Sequence, residues 1–149
     1  MNHSTRFDCE LRMTLPATLE AVEEFFVEFH RRSQAMMARA NCFAAELLVR
    51  EALTNAVVHG CGSDPRKRVH CSLRLRRGRL LIAVADEGGG FDWRAARCAS
   101  AGLSDDSGRG MEILRRYANH VRFNDKGNLV TIIRQIEGGN RRDSDNQGR

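Results

Sequence analysis

The stretch Glu46–Gly60, ELLVREALTNAVVHG, constrains the fold more than any other part of the chain. Its apolar residues recur every three to four positions among strong helix formers, which predicts a helix. Glu51, Asn55 and His59 are spaced i, i+4, i+8 and fall in one row along it. At about 100° per residue, Ala44, Leu47, Leu48 and Val58 lie close to that row. A carboxylate and a carboxamide are thus set in largely apolar surroundings. Burying either without a partner costs roughly 1–3 kcal/mol. Something polar must sit opposite this row.

A chain of 149 residues holds one domain with a proper core and leaves little room for a second. With 42% hydrophobic and 29% charged residues, it has the composition of a soluble globular protein. No run approaches the roughly 18 apolar residues of a membrane span. The N-terminus, MNHSTRFD, lacks the apolar core of a secretory signal, so a cytoplasmic protein is expected. Cys9, Cys42, Cys61, Cys71 and Cys98 are odd in number, widely spaced and free of C-x-x-C, which fits a reducing compartment. His59, Cys61, His70 and Cys71 match no usual zinc spacing.

The net charge of +5 is concentrated in Arg66-Lys67-Arg68, in Arg74 to Arg79 and in the tail, and it favours anionic partners. Nucleic acid is not among those expected. There is no helix-turn-helix or RNA-binding signature, and almost no aromatic residue stands beside the arginines. They read instead as a solvated strand face and a hairpin turn.

Phe7 to Met13 alternates with apolar residues at odd positions, as a half-buried strand does. Pro16 suits the first turn of a helix running from residue 17 to about 38. Asn41 is placed to cap the next helix, which Gly60 and Gly62 end. Val69 to Leu75 and Arg79 to Asp86 predict an antiparallel hairpin around Arg77-Gly78. Residues 87 to 110 are rich in Gly, Ser and Asp, with a short helix expected around Trp93 to Cys98. A helix over Met111 to Tyr117, starting near Gly108 to Gly110, precedes strands at Val121 to Phe123 and Leu129 to Ile136. The polar tail, 137–149, is expected to be disordered, leaving one domain over 1–136. The order β-α-α-β-β-loop-α-β-β argues for α+β, a sheet with helices on one face.

Two further segments carry chemistry. Asp86-Glu87-Gly88-Gly89-Gly90 directly follows an apolar strand. An Asp there can accept a bond from a polar ring, and glycines let the backbone come close to a ligand. Ser107-Gly108-Arg109-Gly110 stands at the start of a helix, where free backbone N–H groups and the helix dipole suit an anion. It is neither a Walker A loop nor a dinucleotide fingerprint.

Together these segments read E-x-x-x-N-A-x-x-H-G, then D-x-G-x-G, then G-x-G. That ordered set resembles the N, G1 and G2 boxes of the GHKL ATP-binding superfamily, which includes gyrase, histidine kinases and MutL. The small size is similar to the anti-sigma-factor serine/threonine kinases of the RsbW-like branch. The resemblance covers roughly residues 7 to 136. It implies a two-layer α/β sandwich, the Bergerat fold, with a mixed, mostly antiparallel sheet. It implies ATP and Mg²⁺ as cofactors, with Asn55 as the magnesium ligand and Glu51, the catalytic residue, as general base. Asp86 would bond the adenine amino group, beside Gly88 and Gly90. Gly108 and Gly110 would hold phosphates, Arg109 would add charge or point to solvent, and Thr131 would stand near adenine. Residues 91–107 would form a lid.

The implied partners are a STAS-domain anti-sigma-factor antagonist as phosphorylation substrate, and a sigma factor or other regulator. The domain would work as a homodimer. The alternative is a non-catalytic ATP-binding module that sequesters a protein partner. His59 is either catalytic or a locally bonded helix-end residue, and Glu46 suits a surface role. A self-contained sensor kinase is not expected, since no phosphoacceptor helix precedes the domain. Gyrase-like functions are not expected either, because no transducer domain follows.

Overall fold

The computed structural model describes residues 9–90, 92, 94 and 106–136, the first four of the last segment by backbone only. Strand β1 (Cys9–Pro16) leads to helices α1 (Leu19–Met36) and α2 (Arg39–Asn55), and a π-turn (Ala56–Gly60) extends α2. Strands β2 (Arg68–Arg76) and β3 (Arg79–Asp86) follow, then helix α3 (Asp106–Tyr117) and strands β4 (His120–Phe123) and β5 (Leu129–Gln135). The sheet order is β1-β2-β3-β5-β4, and every pairing among the described residues is antiparallel. The architecture is the expected α+β, with the helices on one sheet face. No helix among the described residues is long and apolar enough to cross a membrane.

Alternation decides which sheet face is covered. Val69, Cys71 and Leu73 of β2 are buried, as are Leu80, Ile82 and Val84 of β3 and Val130 and Ile132 of β5. They meet Phe25, Phe26 and Phe29 of α1 and Leu48, Val49 and Leu53 of α2 in one core. The three phenylalanine rings pack with centroids 5.2 to 6.1 Å apart. Arg50 of α2 lays its guanidinium 4.0 Å from the Phe26 ring centroid and bonds Glu23. Glu46 pairs with His30 at 2.8 Å and with Arg50 at 3.4 Å, so it serves a surface network.

Three local expectations are corrected. Pro16 is not in a helix. It ends edge strand β1, where a missing N–H costs no ladder bond, and Thr18 caps α1 by accepting from Ala21 N. Asn41 does not cap α2, which starts at Arg39; it lies in the first turn and is buried. Helix α3 begins at Asp106, two residues before the Gly108 to Gly110 stretch near which it was expected to start. The β2–β3 turn does fall on Arg77-Gly78, both at positive φ (49° and 72°) as a two-residue hairpin requires. Apart from Arg94, the helix expected at Trp93 to Cys98 lies outside the described residues, as do the tail and most of the expected lid.

Candidate functional site

Asn55 closes the α-helical part of α2, and Asp86 closes β3. Packing α2 onto the sheet brings both to one narrow cleft, shared with Ala52, Val84, Leu114 and Asn128. Glu51 stands one turn before Asn55, half-buried, against the first turns of α3. A Cβ on Gly110 would fall on Oε1 of Glu51 and 2.5 Å from its Cδ. A side chain at 110 would displace the end of the Glu51 side chain, so the glycine leaves that carboxylate where it is.

Gly110→Ala should leave stability within about 0.5 kcal/mol, because shifting the end of the Glu51 side chain offsets the better helix propensity of alanine. In a Glu51→Ala background the same change should stabilise by roughly 0.5–1 kcal/mol. Thermal unfolding of the four proteins of this cycle checks both values.

Asp86 is 8% exposed. Its Oδ1 accepts from Gly88 N at 2.8 Å and from the Cys61 thiol at 3.9 Å, and its own N–H donates to Asn128 O at 2.9 Å. Burial pushes this carboxyl above its ordinary range, against the Gly88 N–H and the positive charges of Lys67 and Lys126. A Cβ on Gly88 would collide with the Gly60 carbonyl, so the turn after β3 lies backbone to backbone on the π-turn. Gly90, at φ 84°, lies against the Lys126 carbonyl in the β4–β5 turn. The expected glycines thus lock three loops around Asp86.

The row Glu51, Asn55, His59 holds for its first two members. The π-turn closes with Cys61 N on Ala56 O, an i→i+5 bond, which puts an extra residue into the turn. His59 is consequently exposed rather than set in the cleft. Gly108 and Arg109 have their backbone in the first turn of α3, and the side chain of Arg109 lies outside the description.

Thr131 is not brought to the cleft. On β5 the neighbours Val130 and Ile132 point to the helices, so Thr131 faces the open side of the sheet, across from Ala83 and Arg122. Asn128 occupies the place beside Asp86 instead. Asn124 braces it, its Nδ2 donating to Asn128 Oδ1 at 2.6 Å and its Oδ1 accepting from Asn128 N at 3.0 Å. In the sequence Asn128 looks like ordinary turn chemistry, and nothing there separates the two uses.

Oxygen donors at Asn55 and Glu51 suit a hard divalent cation. His70 and Cys71 do not converge, since adjacent strand residues face opposite sides; Cys71 is buried, with its thiol pushed up to about 12. Two wider depressions exist, one on the open sheet face around Thr14 and Ser72 and one between α3 and β4. Neither contains Asn55 or Asp86. Convergent polar groups, not size, mark the narrow cleft as the candidate site.

The chain matches the histidine kinase-like ATPase domain family over residues 13–134. It is 29% identical over 90 residues to an anti-sigma F factor of Shouchella clausii (strain KSM-K16), covering 58% of this chain and 62% of that one. An anti-sigma F factor of Geobacillus sp. (strain WCH70) is 28% identical over 90 residues, with the same 58% and 62% coverage. The chain therefore spans less than two thirds of the length of these relatives. The family match covers most of the chain and includes Glu51, Asn55, Asp86 and the three glycine-bearing segments. The chain belongs to the histidine kinase-like ATPase domain family.

Proposed function

We propose that this domain binds Mg-ATP in the cleft between Asn55 and Asp86 and transfers a phosphoryl group to a serine or threonine hydroxyl of a STAS-type antagonist protein. The same domain, working as a homodimer in the cytoplasm, holds a sigma factor or similar regulator and exchanges it for the unphosphorylated antagonist. The observation that carries this reading is the convergence of Asn55 and Asp86 on one cleft, with Glu51 one helical turn away. The family match supports ATP binding, and the names of the two relatives support the regulatory role.

Asp86 accepts the adenine amino group, while Gly88 and Gly90 allow the backbone close to the nucleotide. Asn55 supplies a neutral oxygen to Mg²⁺. That ion neutralises phosphate charge when bound. Gly108, Arg109 and Gly110 lie at the N-terminal end of α3, where backbone N–H groups and dipole favour phosphate. Glu51 accepts the proton of the substrate hydroxyl as its oxygen bonds the γ-phosphorus, and the bond to the β-phosphate oxygen breaks to release ADP. Thr131 takes no part in this scheme, because it lies on the other side of the sheet.

Titration calorimetry with ATP, with and without Mg²⁺, tests the binding half. Asn55→Ala should weaken Mg-ATP binding at least tenfold while changing metal-free binding little, on the order of a lost charge-assisted contact. Transfer from labelled ATP to a STAS-type protein tests the chemistry. Binding without transfer would establish the non-catalytic module instead, and no binding would remove both readings.

A further inference from the structure

We propose that Cys61 is a positioning residue of the cleft: its thiol fixes the Asp86 carboxylate so that Oδ2 stays presented to the nucleobase. The inference rests on the reading of Asp86 as the acceptor for adenine.

Among the described residues, both donors to this carboxylate fall on the same oxygen. Gly88 N meets Oδ1 at 2.8 Å, and the Cys61 sulfur lies 3.9 Å from it. Oδ2 is left for a ligand, on a residue that lines the cleft. Cys61 is 3% exposed, so water does not replace its thiol. Burial first, and then the Asp86 charge, push that thiol above its ordinary range, so it keeps the proton it donates.

The backbone is arranged around this contact. Cys61 N closes the π-turn on Ala56 O at 2.8 Å, which sets the sulfur beside β3. The preceding residue is a glycine whose added Cβ would lie 2.6 to 2.7 Å from Cγ and both carboxylate oxygens. The carboxylate is therefore held by a bare wall at Gly60, a backbone donor at Gly88 and a thiol at Cys61. A carboxylate free to rotate about its last bond would often present neither oxygen in line with an incoming amino group. A thiol is a weak donor, so the expected effect is moderate and specific to the atom it aligns.

The test compares wild type, Cys61→Ala and Cys61→Ser by calorimetry with ATP and with inosine triphosphate, which carries a carbonyl where adenine carries its amino group. Cys61→Ala should weaken ATP binding about three- to tenfold and leave the inosine nucleotide within about twofold, narrowing the preference. Cys61→Ser, whose hydroxyl sits on a shorter bond and does not span the 3.9 Å to Oδ1, should weaken ATP binding much as alanine does. Equal weakening of both nucleotides would reduce Cys61 to a packing residue and overturn the proposal. Unchanged ATP affinity in Cys61→Ala would do the same while leaving the adenine reading standing. A wild-type domain that binds ATP no better than inosine triphosphate would remove the adenine reading, and this inference with it.

Discussion

Asp86→Asn should fold with equal or greater thermal stability at neutral pH and bind ATP roughly a hundredfold more weakly. The amide has the same shape, and its oxygen can take the place of Oδ1 opposite Gly88 N and Cys61. Its NH₂ group then faces the cleft, so an arriving adenine amino group meets a donor instead of an acceptor. Losing a charged hydrogen bond costs about 1.5–3 kcal/mol, up to roughly a hundredfold in affinity, and opposed donors add to that.

The stability half follows from the raised pKa of the buried carboxyl. Between the unfolded value and the raised folded value, the folded state binds more protons. Wild-type stability therefore falls as pH rises through that window, and above it the charged, buried carboxylate carries the full cost. Asp86→Asn removes this dependence. Its advantage over wild type should be present at pH 7 and shrink as pH falls through the folded pKa. Melting temperature against pH for both proteins, with calorimetric affinities, reads the two effects separately. A less stable variant that still binds ATP normally would contradict the assignment.

Glu51→Gln should abolish phosphoryl transfer while leaving ATP binding within about threefold. A positioned general base contributes about 10² to 10⁴ in rate. Glutamine keeps the shape that Gly110 accommodates, so α3 need not move. Single-turnover transfer to the antagonist, measured with nucleotide saturating, isolates the chemical step from binding. Equal rates in the two proteins would deprive Glu51 of its catalytic role and favour the sequestering module.

Much of the fold was legible because its patterns are strong. Strict alternation in Val69 to Leu75, and the apolar run Leu80 to Val84 within Arg79 to Asp86, located β2 and β3 to within a residue at each end. The spacing of Glu51 and Asn55 puts them in one helix row because α2 is regular there. The π-turn was not legible. AVVHG has the apolar pattern of an ordinary helix, and its wider closure accompanies contact between Gly60 and Gly88 of a distant loop. Helix caps failed for a related reason: Asn41 has the right chemistry for an N-cap but is buried in the first turn. Likeness of motif points to Thr131, whereas the alternation of Val130 and Ile132 turns it to the open sheet face. Asn128 carries no signal of its own, because the same residue type serves turns and ligand sites alike.

The π-turn also makes the helix a ruler. Asn55 stands at one of its ends, and Gly60 and Cys61 meet Asp86 at the other. The two halves of the cleft are thus joined by one continuous stretch of backbone, and their separation is set by counting residues. Removing one residue between them would let the segment relax into a plain α-helix with better-satisfied backbone bonds. Asn55 would stay where it is, while the bare wall and the thiol would rotate away from the carboxylate they hold. The length of this segment, more than the identity of Val57 or Val58, is what the cleft depends on.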